Sequence, residues 1–220
     1  MTIRELVRPL PGVRQLSLMR QRIAFGDSAH FWEASYARGR TSGSGSYGAL
    51  AEGKRRFLNN LVREREISSV IEFGCGDGNQ LSMAEYPSYI GLDVSRTAIG
   101  LCQRRFAADA TKSFFLYDGA CFTDRAGIFT ADLALSLDVV YHLTEDEVFE
   151  TYLRHLFAAG QRLVVIYSTD AQISGTAPHV RHRRFTGWVE ANIPDWRLAG
   201  VTAGPNTERI AADFFVYARS

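Results

Sequence analysis

The chain has 220 residues, long enough for one well-buried core with an appendage and short for two full domains. Its 25 Lys and Arg balance 24 acids, so a net charge of +1 gives no long-range field to gather nucleic acid or a membrane surface. Three cysteines at unrelated spacings suggest neither a disulfide framework nor a zinc site, and no apolar run has the length of a signal peptide or a membrane span. The expectation is a soluble, cytoplasmic protein with no membrane partner.

In chain order, residues 1–47 stand apart from the rest. Arg4, Arg8, Arg14, Arg20 and Arg22 give a basic bias, and Val13, Leu16, Met19 and Ile23 recur at helical spacing. His30, Phe31, Trp32 and Tyr36 follow, then a Gly/Ser run from Thr41 to Gly48 that reads either as a linker or as a hinge. From 48 onward the pattern becomes regular. Leu50, Phe57, Leu58, Leu61 and Val62 share a helical face, with Lys54, Arg55, Arg63 and Arg65 placed largely off it. Strands are expected at 70–73, 89–93, 113–117, 132–137 and 162–167, with a closing pair at 196–201 and 214–218. Helices are expected from Gly78 to before Pro87, after a cap at Ser95 with Ile99, Cys102 and Phe106 inward, and over 185–191. Thr144 with Glu147 spells a capping box, Leu143 can staple to Val148, and Val148, Tyr152, Leu156 and Phe157 form the buried face. Alternating strands and helices imply an α/β, doubly wound, mostly parallel sheet with helices on both faces.

The stretch Val70-Ile71-Glu72-Phe73-Gly74-Cys75-Gly76-Asp77-Gly78 runs an apolar strand into a turn with three glycines. Asn79 stands where a dinucleotide turn needs glycine, and the carboxylates of Glu72 and Asp77 would repel a pyrophosphate while welcoming a cation. A second strand ends in Asp93, nineteen positions after Gly74, near the offset at which an acid meets ribose hydroxyls. Glu72-x-Gly74-x-Gly76-x-Gly78 resembles the first motif of the class I S-adenosylmethionine (SAM) dependent methyltransferases, and the similarity continues through Tyr117-Asp118-Gly119 and 132–138.

That resemblance implies a seven-stranded Rossmann-like sheet with its last strand antiparallel, a SAM-binding domain over 48–220 and an N-terminal helical lid over 1–47. It places Gly74 and Gly76 on the methionine part of SAM, Asp93 on the ribose, and Asp118 with Gly119 at the adenine. Glu72, Cys75, Val94, Leu137 and Asp138 complete the implied cofactor set. Asp138 to His142 should face the methyl group, with His142 as base and Asp138 orienting it or contacting the SAM ammonium. Alternatively His142 closes a strand-helix corner, and Asp118 is a turn former.

Residues 178–184 carry the densest cationic patch, either a solvated loop or a receptor for an acidic or sugar-containing acceptor. His179, His182, Asp170 and Asp138 are an alternative metal set, although its carboxylate pattern is incomplete and no metal is expected. The leading expectation is methyl transfer to a small molecule, more at oxygen than nitrogen, with no nucleic-acid partner. The alternatives are a macromolecular acceptor, a non-catalytic SAM or adenosylhomocysteine-binding module, and a nicotinamide oxidoreductase.

Overall fold

The computed structural model describes residues 27–173, 177–205 and 212–220. The helix expected around Val13 to Ile23 lies outside them. Helix α1 (Ser28–Ala37) and a 3-10 turn (Ser44–Ser46) precede α2 (Gly48–Glu64). Then come β1 (Val70–Phe73), β2 (Tyr89–Asp93), α3 (Arg96–Arg105), β3 (Lys112–Leu116) and β4 (Ala131–Leu137). After them follow α4 (Asp146–Ala159), β5 (Gly160–Ser168), α5 (Phe185–Asn192), β6 (Trp196–Ala203) and β7 (Asp213–Arg219).

The seven strands form one sheet in the order β3-β2-β1-β4-β5-β7-β6. Strands β1 to β5 pair in parallel, and β7 is antiparallel to both β5 and β6, as the resemblance implies. The chain reverses its direction of travel across the sheet at β1, between β2 and β4, and that switch point opens a crevice beyond the strands' carboxyl ends. Alternation in β5 shows how both faces are filled: Leu163, Val165 and Tyr167 join the core under α2 and α3, while Val164 and Ile166 join that under α4 and α5.

Three local expectations change. Between β1 and β2 stands a single 3-10 turn (Leu81–Met83) instead of a helix. The α2 residue Asn59 takes the Met83 carbonyl at 3.2 Å and the Glu85 amide at 3.1 Å, and Asn79 N–H donates to Asp77 Oδ1 at 3.0 Å, so side chains replace the helical ladder. Helix α4 starts later than a cap at Thr144 would place it, with Glu145 at the N-cap and no side-chain cap. Its buried stripe is Phe149, Tyr152, Leu153, Leu156 and Phe157, while Val148 is 45% exposed and lies off that stripe. Lys54 is the third correction, because it lies in the interior at 1% exposure. The Ser95 cap holds, its hydroxyl accepting from Ala98 N–H at 3.0 Å over buried Ile99 and Cys102.

Candidate active site

At the carboxyl end of β1 the backbone turns through Gly74, Gly76 and Gly78, all with positive φ (86°, 58° and 75°). A Cβ on Gly74 would stand 2.4 Å from Val139 Cγ2, so this turn admits no side chain there. At Gly76 a Cβ would come 2.3 Å from Ser42 Oγ: the bare backbone is approached by the protein's own N-terminal segment. Glu72 is buried behind the turn and accepts from Tyr89 OH at 2.7 Å. Burial pushes its carboxyl up to about 7. Asp93, at the end of β2, accepts from Gly76 N–H at 2.9 Å and Ser95 N–H at 2.8 Å, and burial outweighs those donors to raise it to about 6. For Asp77 burial also raises the pKa, but donors from Ser42, Asn79 and Tyr47 win and hold it below the usual carboxylate range.

The described part of the N-terminal segment lies across this turn. Ser42 N–H donates to Asp77 Oδ2 at 3.0 Å, Asp77 N–H donates to Ser42 Oγ at 2.9 Å, and Asn79 Nδ2 donates to the Ser46 carbonyl at 2.7 Å. Helix α1 is fixed at two points by carboxylates placed on helix N-termini, where the dipole favours negative charge. Glu145 accepts from Ser28 N–H at 3.0 Å and from its hydroxyl at 2.6 Å, at the start of α1. Glu33 of α1 in turn accepts from Ser95 Oγ at 2.7 Å, Thr97 N–H at 3.1 Å and Thr97 Oγ1 at 2.6 Å, at the start of α3.

Beyond β4, Asp138 takes a left-handed backbone (φ 60°), unusual for a residue with a side chain. Its Oδ2 accepts from Lys54 Nζ at 2.6 Å and its Oδ1 from Tyr141 OH at 2.7 Å. Both oxygens thus have partners other than His142. His142 is oriented instead by the His179 carbonyl, 2.9 Å from Nδ1. A carbonyl only accepts, so Nδ1 carries the proton and Nε2 keeps its lone pair. Trp32 meets the imidazole edge-on at 4.9 Å and His179 stacks on it at 5.6 Å. Burial lowers His142 to about 4, so the ring is neutral at pH 7.

In the cationic segment Arg184 is exposed, while Arg181 and Arg183 are engaged by the protein itself. Arg183 donates to the Leu143 and Thr144 carbonyls and to Asp146, and Arg181 to Thr144 O at 2.8 Å and Asp146 at 3.0 Å. The two arginines clamp the corner before α4. Asp170 is occupied by Thr186, and His182 by Thr169 Oγ1 at 2.6 Å. Among the described residues no three His, Cys, Asp or Glu side chains are arranged to hold a metal ion, so the alternative metal set does not assemble.

These features enclose one cavity of about 660 Å³, within the range of small-molecule sites. Glu72, Gly74, Cys75, Gly76, Asp93, Val94, Asp118, Gly119, Leu137, Asp138 and His142 all line it. Asp118 Oδ1 also accepts from Ala120 N–H at 3.0 Å, a turn former that still borders the cavity. Sequence reasoning missed Lys54 and Gln80 as lining residues, whereas Trp32 and Tyr36, in the aromatic N-terminal segment expected to cover the cofactor, also line the cavity. Lys54 was signalled, because it falls four residues from both Leu50 and Leu58 and therefore on the apolar face.

The architecture is that of solved SAM-dependent methyltransferases, some of them crystallised with SAM or S-adenosyl-L-homocysteine. The N-methyltransferase NodS of Bradyrhizobium japonicum WM9, solved with S-adenosyl-L-homocysteine, aligns over 94% of this chain and 98% of that one, with a TM-score of 0.63 and 14% identity. By sequence the chain is 30% identical over 112 residues to a small RNA 2'-O-methyltransferase of Arabidopsis thaliana, 46% of this chain and 12% of that protein. It is 27% identical over 120 residues to the tRNA (carboxymethyluridine(34)-5-O)-methyltransferase alkbh8 of Xenopus tropicalis, 53% of this chain and 18% of that protein. It thus spans under a fifth of either relative's length. No family model matches the chain.

The residues present fit the cofactor. The cavity floor is a glycine turn without room for side chains, the acid of β2 stands beside it, and a buried acceptor, Gln80 Oε1, has no protein partner.

Proposed function

We propose that this chain is a methyltransferase that moves the methyl group of SAM to a hydroxyl of a small acceptor that is uncharged or cationic, with His142 as the base. When bound, SAM supplies a methyl carbon that an oxygen nucleophile displaces from sulfur in line. The residues then divide the work. Asp93 holds the ribose, Asp118 and Gly119 border the adenine, and the glycine turn takes the methionine end. Trp32 and Tyr36 of the overlying segment keep water from the reacting centre. The acceptor's proton passes to His142 Nε2 as the new C–O bond forms and the C–S electron pair returns to sulfur.

One observation carries the reading: a buried neutral imidazole, with its Nδ1 proton fixed on the His179 carbonyl, borders the cofactor cavity. A base so placed contributes roughly 10²–10⁴-fold. The charge of the wall supports the acceptor class. Among the described residues eight carboxylates line the cavity against one lysine and no arginine, which repels a phosphate or an acidic metabolite and tolerates a neutral or positive one.

A second reading, an RNA acceptor, is favoured by the activities of the two relatives, both named as RNA O-methyltransferases. Both readings place the methyl on oxygen. To separate them, the chain would be incubated with methyl-labelled SAM and, in parallel, neutral and cationic metabolites, anionic metabolites, or total small RNA. Base-stable label in the first pool supports the small-molecule reading. Label confined to RNA or to the anionic pool rejects it.

A further inference from the structure

Two polar groups at the methionine end of the cavity have capacity left over. Lys54 has three donor protons, of which one is engaged by Asp138 Oδ2 at 2.6 Å, and its charge lies 5.2 Å from the Tyr167 ring. Gln80 Nε2 donates to the Ala51 carbonyl at 3.2 Å, which fixes the amide's orientation and turns Oε1 away. That oxygen is buried and has no partner. Ala51 and Lys54 are one helical turn apart on α2, and Lys54 and Gln80 both line the cavity, which so holds spare donors and a spare acceptor. A buried acceptor without a partner is an exception that needs a reason.

An amino-acid zwitterion has the complementary pattern, an accepting carboxylate beside a donating ammonium. We propose that Lys54 is the receptor for the methionyl carboxylate of the donor, and that Asp138 and Gln80 Oε1 receive its ammonium. The proposal rests on the assignment of SAM as donor and specifies how its amino-acid end is recognised. Charges then alternate from Lys54 to carboxylate to ammonium to Asp138, and no buried charge is left alone. Asp138 is prepared for that role, held by Tyr141 OH at 2.7 Å in a left-handed backbone conformation. Gly45 completes the dock, since a Cβ there would stand 2.6 Å from Asp138 Oδ2.

The test compares S-adenosylhomocysteine with its decarboxylated counterpart, S-adenosyl-3-thiopropylamine, by calorimetric titration of the full chain. The wild type should prefer the carboxylate-bearing compound by about tenfold to a hundredfold, the worth of one charge-assisted hydrogen bond. Lys54→Met should abolish that preference by lowering affinity for the carboxylate-bearing compound relative to the decarboxylated one, and Lys54→Arg should retain much of it. Equal wild-type affinity for both compounds would overturn the proposal and leave the donor assignment standing. So would a Lys54→Met chain that loses both affinities by the same factor. A wild type that binds neither compound would remove the donor assignment itself and the proposal with it.

Discussion

The two ends of the cavity are built in different ways. The ribose side of the donor end is local: β1, the glycine turn and the end of β2 lie within 24 consecutive residues, and backbone amides of Gly76 and Ser95 hold Asp93 directly. The acceptor end is assembled from distant segments, with Ser28 bonded to Glu145 across 117 residues and His142 oriented by His179 across 37. A local, backbone-held end can be rigid before any ligand arrives. An end held by side chains between segments opens when those few contacts break.

His142→Gln should break the division most visibly. It should lower kcat by roughly 10²–10⁴-fold with adenosylhomocysteine affinity unchanged, measured by steady-state kinetics and calorimetry. A parallel loss of affinity would mean that the two ends are one unit. In the wild type the neutral imidazole is present above about pH 4, so turnover should not fall through the ordinary histidine range near pH 6.5.

Gly76→Ala is expected to act on both ends at a smaller cost. The left-handed backbone at φ 58° penalises the new Cβ by about 1–3 kcal/mol, and that Cβ would meet Ser42 Oγ at 2.3 Å. Adding Ser42→Gly should recover the steric part in denaturant melts and leave the backbone part. Full recovery would show that the conformation of the turn carries no penalty.

The smallest effect is that of pH on donor binding. Glu72 and Asp93 have folded-state values raised to about 7 and about 6 from 4.5 and 3.8. Their contribution to stability is therefore present at low pH and lost as pH rises through those values. His142 works the other way, its folded value depressed to about 4, so its contribution is lost as pH falls from 6.5 towards 4. A bound cation favours the ionised carboxylates, so the thermal shift produced by SAM should grow between about pH 6 and 8. Glu72→Gln should flatten that rise, and an undiminished slope would assign it elsewhere.

The same division explains how much was legible in the sequence. The donor end could be read because its signals are contiguous: Glu72 to Gly78 spells the turn and Asp93 follows at a fixed offset. The central strands were legible for a related reason, since two-sided burial makes β1, β2 and β4 short apolar runs. The region after Gly78 misled because its helical pattern competes with Asn59, a partner supplied by α2. Val148 misled because a residue one step from Phe149 points about 100° away from the buried stripe. The cationic segment misled because charge density says nothing about partners, and Arg181 and Arg183 find theirs at residues 143–146. Asp138 was placed correctly at the cavity, but its partner Lys54 lies 84 residues away.

The most direct measurement of the central claim is a calorimetric titration of the purified chain with SAM, adenosylhomocysteine and NAD. The acid-lined cavity predicts saturable binding of one equivalent of each adenosyl-sulfur compound and no heat from the dinucleotide. Silence towards both sulfur compounds at millimolar concentration, or binding of NAD in their place, would contradict it.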